Sequence, residues 1–261
     1  MKIAVMGMGV AGSYLMARLK DSEHEVVGYE RMVEERHDSI CAWGTIKSEL
    51  DKFCEKTGRN FDDFMIHEGK TMKVKMGNGV KFDIGLHGLC TYNKLGLIKD
   101  FIKDSKVLYG TAPKLEELEK EYDMIIDCTG FHRIYLPKLK EDFFLPTYEY
   151  KVEYENGVPY DDFYIEPFPG MSGYFWYFPL NGRIAYVGAG DYYRKHMEEL
   201  DEFNNKQIAI IESGKIDFEK NVQLLNNYHN VGIAFKNNFE NRIRKLGGSA
   251  NLWASQLMML E

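Results

Sequence analysis

The opening of the chain, KIAVMGMGVAGSYLMARLK with EVVGYE at 25–30, leaves few choices of fold. Residues 2–6 form a short apolar run of the kind found in strands buried on both faces, and Leu15, Met16 and Leu19 follow at helical spacing. The second apolar run completes strand, glycine turn, helix, strand, a βαβ unit whose two strands must lie parallel. Between the first strand and the helix stands Gly7-Met8-Gly9-Val10-Ala11-Gly12. Glycines at these positions permit a tight turn, close approach of backbone to a pyrophosphate, and close packing of helix on strand. The free N–H groups of the helix start would face the anion. Glu30, followed by Arg31, ends the second strand, where a carboxylate accepts hydrogen bonds from ribose hydroxyls. The pattern predicts a dinucleotide site.

Helical spacing at 47–56 then gives way to TMKVKMGNGVKFDIGL, whose alternation about Asn78-Gly79 predicts a hairpin. The α/β rhythm resumes with a helix in NKLGLIKDFIKD, a strand in KVLYG, an acidic helix in KLEELEKE and an apolar strand in YDMIIDCTG at 122–130. From about 147 the pattern turns antiparallel, with KVEYE, Asn156-Gly157, and then GYFWYFPLNGRIAYVGAG at 173–190, which turns at Asn181-Gly182. Three Asn-Gly pairs predict three hairpins and a substantial antiparallel sheet beside the α/β part. Helices are expected near 196–212 and 217–229. The expected fold class is α/β. A Rossmann-like domain occupies 1–70 and 88–140, an antiparallel-sheet domain 71–87 and 141–235, and residues 236–261 start a return toward the first.

Composition narrows the function by exclusion. Basic residues number 33 against 40 acidic ones, a formal charge of −7, and no dense Lys/Arg cluster exists to neutralise phosphates. Nucleic acid is therefore not an expected partner. Cys41, Cys54, Cys90 and Cys128 lie far apart without a CxxC pair, which speaks against a disulfide framework or zinc knuckle and for a reducing cytoplasm. The apolar run IAVMGMGVAG is too short and glycine-rich to span a membrane. His24, His37, His67, His87, His132, His196 and His229 are scattered without ligand spacing, so no metal site is expected. Ser172, in PGMSGY, misses the spacing of a nucleophile elbow.

The run Tyr174-Phe175-Trp176-Tyr177-Phe178-Pro179 admits two readings. In a strand, Tyr174, Trp176 and Phe178 project to one face and Phe175 and Tyr177 to the other. Both rows can pack a sheet core, or one can wall a binding cavity.

Other residues carry a resemblance. Gly7, Gly9, Ala11, Gly12 and Ser13 spell GxGxAGS, and Cys128-Thr129-Gly130 ends a later strand where the flavoprotein hydroxylase superfamily usually has A-T-G. The resemblance, with the early hairpin interrupting the α/β rhythm, implies a p-hydroxybenzoate hydroxylase-like fold and FAD rather than NAD. Tyr174 to Pro179 followed by Gly188-Ala189-Gly190 resembles the Y-x-W-x-F-P … G-x-G signature of the geranylgeranyl reductase family, FAD-dependent enzymes that saturate isoprenoid double bonds. Cys41-Ala42-Trp43-Gly44 approximates that family's Cys-Gly-x-Gly-like element, and the likeness spans residues 1 to about 190.

The resemblance implies that Gly7, Gly9, Ala11, Gly12, Ser13, Glu30 and Arg31 hold the ADP half of FAD, with Ala112 meeting adenine. Thr129 and Gly130 pass close to the cofactor, and Cys41, Ala42 and Gly44 approach the flavin ring, Cys41 as the catalytic thiol. Tyr174, Trp176 and Phe178 line a lipid channel. A prenyl chain offers few polar groups to grip, so its affinity must come from buried apolar area. The implied partners are an isoprenoid lipid and an external electron donor, NAD(P)H or ferredoxin, with transient contact to a membrane surface by a cytoplasmic protein. The family's Gly-Asp-Ala-Ala-type element is not found before NLWASQLMMLE, so the chain is expected to be a C-terminally truncated relative. The Arg that the family places before a Phe-Asp pair is not recovered near Leu89 to Asn93. An aromatic-ring monooxygenase or halogenase, and a non-catalytic remnant that binds nucleotide or lipid, are the alternative readings.

Overall fold

A computed structural model describes residues 1–39, 41–130, 133–137, 147–154, 157–168, 173–191 and 209–210. In chain order its elements are β1 (Lys2–Met6), α1 (Val10–Leu19), β2 (Glu25–Glu30), β3 (Gly44–Ile46), α2 (Lys47–Glu55), β4 (Met65–Glu68), β5 (Thr71–Lys75), β6 (Lys81–Gly85) and β7 (Leu89–Tyr92). There follow α3 (Lys94–Ile102), β8 (Val107–Tyr109), α4 (Leu115–Glu121), β9 (Met124–Asp127), β10 (Thr147–Glu153), β11 (Phe163–Pro167), β12 (Gly173–Pro179), β13 (Ile184–Asp191) and β14 (Ala209–Ile210).

β1 is apolar along its length because both of its faces are covered. Ile3 and Val5 pack with Met8, Met16 and Ile102 beneath α1 and α3, while Ala4 and Met6 pack with Val27, Leu118 and Tyr122 on the α4 side. It is accordingly an inner strand of a parallel sheet, in the order β8-β2-β1-β9. A small antiparallel sheet, β3-β7-β4, carries α2 and α3 on a core of Leu50, Phe61, Tyr92, Leu97 and Phe101. The third sheet runs β14-β10-β13-β12-β11-β5-β6, so the early β5–β6 hairpin joins strands formed far later in the chain. Its neighbours are antiparallel except β5 and β11, which pair parallel. No helix among the described residues is long and apolar enough to cross a membrane.

Two expectations are corrected. Asn156-Gly157 does not join paired strands: β10 pairs with β13 and β11 with β12, so the chain after β10 crosses the sheet instead of turning back. Tyr160 anchors that crossing, stacked on Tyr164 at 4.0 Å and edge-on to Tyr177 at 5.3 Å. Asn156 itself lies outside the described residues. The helix expected near 196–212 is overruled at its end, where Ala209 and Ile210 pair with Glu153 and Val152 as an edge strand. A free edge of unpaired N–H and C=O groups outweighs local helical preference there. The helix expected at 217–229, the return over 236–261, Ser172, His132, His196 and His229 lie outside the described residues.

The parallel β5–β11 pair is pinned by one carboxylate. Asp162 accepts hydrogen bonds from the Lys70 N–H at 2.8 Å, the Thr71 N–H at 2.9 Å, the Phe163 N–H at 2.9 Å and His67 Nε2 at 3.0 Å. Burial pushes its pKa up, but these donors outweigh burial and hold it below the usual carboxylate value. A depressed native pKa stabilises the fold above the unfolded-state value, and that contribution is lost as pH falls. Asp162→Ala should therefore lower the free energy of unfolding by roughly 2–3 kcal/mol at neutral pH. In urea denaturation the gap from the parent chain should narrow below about pH 4; a pH-independent gap would contradict the assignment.

Candidate functional site

At the first site, backbone geometry explains the glycines. Gly7 has φ +90°, and a Cβ there would lie 2.8 Å from the Cys128 carbonyl oxygen; one on Gly12 would lie 1.9 Å from the Gly7 oxygen. Both positions are closed by the packing of α1 against the ends of β1 and β9. Gly9 differs: it is the N-cap of α1, makes no side-chain cap, and has no heavy atom within 4 Å of where a Cβ would stand. The helix therefore begins without a side-chain cap and with space beside Gly9, an arrangement compatible with an anion at its first N–H groups.

The Glu30 carboxylate, only 8 % exposed, is held against this loop by the Met8 N–H on Oε2 at 2.9 Å and the Met32 N–H on Oε1 at 3.0 Å. The Thr111 N–H donates to the Glu30 carbonyl at 3.2 Å, which brings the exposed Ala112 beside the same strand end. Ser13 is buried in the first turns of α1, its hydroxyl donating to the Val10 carbonyl, and Ala11 is half-buried. Arg31 is exposed. Thr129 donates through both N–H and Oγ1 to Asp127 Oδ1, at 2.8 and 2.5 Å, and its backbone together with that of Cys128 lies against Gly7. The residues present fit a dinucleotide: an uncapped helix start, free volume over Gly9, and a buried carboxylate at the ribose position.

His37 belongs to the same cluster. Its Nε2 donates to the Met8 carbonyl at 3.0 Å, which leaves Nδ1 buried without a partner. It could not be distinguished in the sequence from the other scattered histidines, because nothing in its spacing reports the loop it folds against.

The second site is the face of the large sheet turned toward the Cys41–Gly44 segment. Phe175 and Tyr177 point the other way, into a core with Tyr150, Val152, Tyr154 and Val187. Trp176 packs with Ala42, Trp43, Leu180 and Tyr186, and Tyr174 and Cys41 border that group. The ring of Phe178 is committed to internal packing, edge-on to Phe163 at 5.0 Å and so close over Gly44 that a Cβ there would approach it to 2.5 Å. Strand register adds what the signature alone does not show. Gly188 lies between Glu149 of β10 and Trp176 of β12, and Gly190 between Thr147 and Tyr174. The two glycines of the G-x-G element therefore clear a strip of sheet bordered by Glu149, Trp176 and Tyr174.

Electrostatics at this strip favour neutral groups. Burial pushes the Glu149 carboxyl up to about 8, against smaller opposing effects from the Trp176 indole N–H and the Lys94 ammonium. Burial likewise raises the Cys41 thiol; Lys94 and the Trp43 N–H oppose this, and Glu149 adds to it. Cys41 is thus held as a thiol, not the nucleophilic thiolate, at neutral pH. Burial pushes the Tyr174 phenol up to about 12. Glu149 and Lys94 were not singled out in the sequence, since Glu149, Lys151 and Glu153 alternate as they would on a solvated face.

No family model matches the sequence, and no curated protein is recognisably similar to it. Solved structures do match. A geranylgeranyl bacteriochlorophyll reductase-like protein from Thermoplasma acidophilum superposes with a TM-score of 0.60 at 16% identity, covering 81% of this chain and 64% of that one. Klebsiella pneumoniae HpxO, complexed with FAD and uric acid, gives 0.52 at 15% identity over 73% and 56% of the two chains. Pseudomonas aeruginosa PqsL, in complex with 2-aminobenzoylacetate, gives 0.55 at 13% identity over 76% and 62%. The fold is p-hydroxybenzoate hydroxylase-like. The chain spans less than two thirds of each of these three flavoprotein-fold structures. In that fold, the glycine loop and the Glu149 strip belong to the α/β part and to the large sheet respectively.

The two kinds of glycine make separable predictions. Gly9→Ala should leave thermal stability within about 0.5 kcal/mol of the parent, since the added methyl meets nothing. It should weaken FAD binding at least tenfold by equilibrium dialysis. Gly12→Ala should destabilise by about 1–3 kcal/mol through overpacking. Equal Tm losses for the two variants would refute this division.

Proposed function

We propose that this protein is an FAD-dependent oxidoreductase that reduces carbon–carbon double bonds in a geranylgeranyl-type isoprenoid lipid. The observation that carries the proposal is the strip cleared by Gly188 and Gly190, walled by Trp176 and Tyr174 and facing Cys41 and Ala42. Its walls are aromatic and neutral, which suits an uncharged chain held by buried apolar area, at roughly 25 cal/mol per Å² before ordering losses.

In this reading Gly7, Gly9, Ala11, Gly12, Ser13 and Glu30 hold the ADP half of FAD, with Arg31 and Ala112 at the adenosine end. Thr129 and Gly130 border the cofactor, and Cys41, Ala42 and Gly44 approach its ring. When bound and reduced, FAD supplies a hydride. The chain's own contribution is positional: Trp43, Trp176, Leu180 and Tyr186 exclude water from one end of the strip, and Tyr174 and Trp176 orient the alkene. Cys41 stands beside it as a neutral thiol. Electrons come from an external donor of the NAD(P)H or ferredoxin class, and the lipid is taken up during transient contact with a membrane surface. Nucleic acid is no partner in this reading.

The test is a visible spectrum of the purified chain with and without added FAD, followed by anaerobic reduction with dithionite and mixing with a geranylgeranyl lipid in detergent. The expected result is a flavin spectrum that bleaches and then recovers only with lipid, with product gaining two hydrogens per double bond. A protein that stays colourless with FAD sinks the proposal. Recovery only with oxygen, coupled to hydroxylation of an aromatic compound, would assign the same site to a monooxygenase.

A further inference from the structure

We propose that the Glu149 carboxyl is the proton donor of the sheet site, giving its proton to the alkene carbon opposite the one that receives a hydride. This inference rests on the proposed reductase reading and supplies the proton source that reading lacks.

Three observations place Glu149 in that role. First, register sets it on the substrate-facing side of β10, level with Trp176 two strands away. Only Gly188 lies between, so the Glu149 and Trp176 side chains meet across it at the edge of the strip. Strands two apart are roughly 10 Å apart, a gap that a glutamate and a tryptophan bridge together. Second, Glu149 Oε1 and Trp176 Nε1 are buried facing each other: the indole N–H is the donor nearest the carboxyl but does not complete a hydrogen bond to it, and no other group bonds either atom. A buried carboxyl with no completed bond on one oxygen has that oxygen available to a ligand, and leaving it unpaired is costly in a purely structural role. Third, the charged and titratable groups facing it are few. Lys94 approaches from α3, Cys41 from the segment before β3, and Tyr174 from β12. Lys151, next on the same face of β10, directs its ammonium to the rings of Trp43 at 5.2 Å and Tyr186 at 5.9 Å. Lys94 acts only as a more distant charge, so burial dominates and keeps the carboxyl protonated up to about pH 8.

The step balances. With FAD bound and reduced, one alkene carbon would receive two electrons as hydride, and the π pair of the alkene would form the new C–H bond with the Glu149 proton at the other carbon. Glu149 is left as carboxylate and regains a proton from water once the saturated product leaves. The external NAD(P)H- or ferredoxin-class donor restores the reduced flavin.

Two measurements on the full chain test the inference. The first is infrared difference spectroscopy of the FAD-free protein across pH 6 to 10. It should show a protonated-carboxyl band titrating with a midpoint near pH 8, absent from Glu149→Gln. The second is anaerobic reoxidation of the flavin-loaded protein by geranylgeranyl lipid. Glu149→Gln should keep the flavin spectrum and lipid affinity yet reoxidise at least 100-fold more slowly. The parent rate should fall above pH 8 while the variant's residual rate stays flat, and Glu149→Asp should recover part of the rate. Failure of the Gln variant to fold moves the kinetic test to the Asp variant, whose unchanged rate and unchanged pH profile would overturn the inference. Reoxidation by Glu149→Gln at the parent rate, or no titrating band lost with it, overturns the inference and leaves FAD binding intact. A chain that binds no FAD overturns the reductase reading and the donor role with it, whatever the band shows.

Discussion

Everything on the large sheet depends on the register of β12 against β13. Side chains alternate strictly between the two faces, so a slip of one residue would exchange the rows. Slipping β12 would turn Phe175 and Tyr177 toward the Cys41 segment, and slipping β13 would replace Gly188 and Gly190 on that face by Val187 and Ala189. The cleared strip would vanish and Glu149 would face a valine. The three-residue Asn181-Gly182-Arg183 turn, closed by the Leu180 N–H on the Ile184 carbonyl, and the apolar pairing of Tyr177 with Val187 on the core side resist that slip. The register is thus fixed by the burial of one face, while the chemistry is carried by the other.

The three sheets are joined where that chemistry requires it. The small β3-β7-β4 sheet contacts the large one through the Phe178 ring on Gly44 and through a buried hydrogen bond from Thr91 Oγ1 to the Pro179 carbonyl, at 2.7 Å. The Tyr92 N–H in turn donates to the Trp43 carbonyl at 3.1 Å, so the segment after Cys41 is held from both sides. Gly44 is therefore explained without any ligand: a side chain there would force the sheets apart. Cys41 and Ala42 lie at the margin of this contact, where packing gives way to the cleared strip.

Local pattern made the α/β part legible. Its parallel strands are short and apolar on the buried side, so sequence spacing and structure agree over Lys2–Glu30 and Lys94–Asp127, whereas the small β3-β7-β4 sheet between them was not anticipated. Gly7 and Gly12 were equally readable, because both answer to local backbone geometry, which does not account for Gly9. The long-range arrangement was not. Asn156-Gly157 has the composition of a hairpin turn, yet β10 finds its partner in β13, where Tyr150 and Val152 meet Val187 and Ala185. Residues 209–210 read as helix and pair as strand because an open edge lay beside them. Glu149 was missed for a related reason: an alternating Glu-Lys-Glu row is the mark of a solvated face, and only the tertiary fold reveals that the Cys41 segment and Lys94 of α3 lie against it.

Where polar groups remain unpaired is itself informative. Folding satisfies buried donors and acceptors wherever it can, and each failure costs about 1–3 kcal/mol. Among the described residues, three buried unpaired atoms fall on the two candidate sites: His37 Nδ1 beside the glycine loop, and Glu149 Oε1 with Trp176 Nε1 on the cleared strip. Four further such atoms are His24 Nδ1, Thr45 Oγ1, Arg133 Nη1 and the Tyr154 hydroxyl; the last serves as a control, because it lies in the opposite core, enclosed by aromatic and aliphatic neighbours. For Tyr154 the unpaired hydroxyl is a packing compromise around a large ring. Glu149 admits no such account, since a leucine would pack the same position without the penalty of desolvating a carboxyl. A sheet face that retains an acid beside two glycines, at the one place where the side-chain row is interrupted, is organised around something other than its own stability.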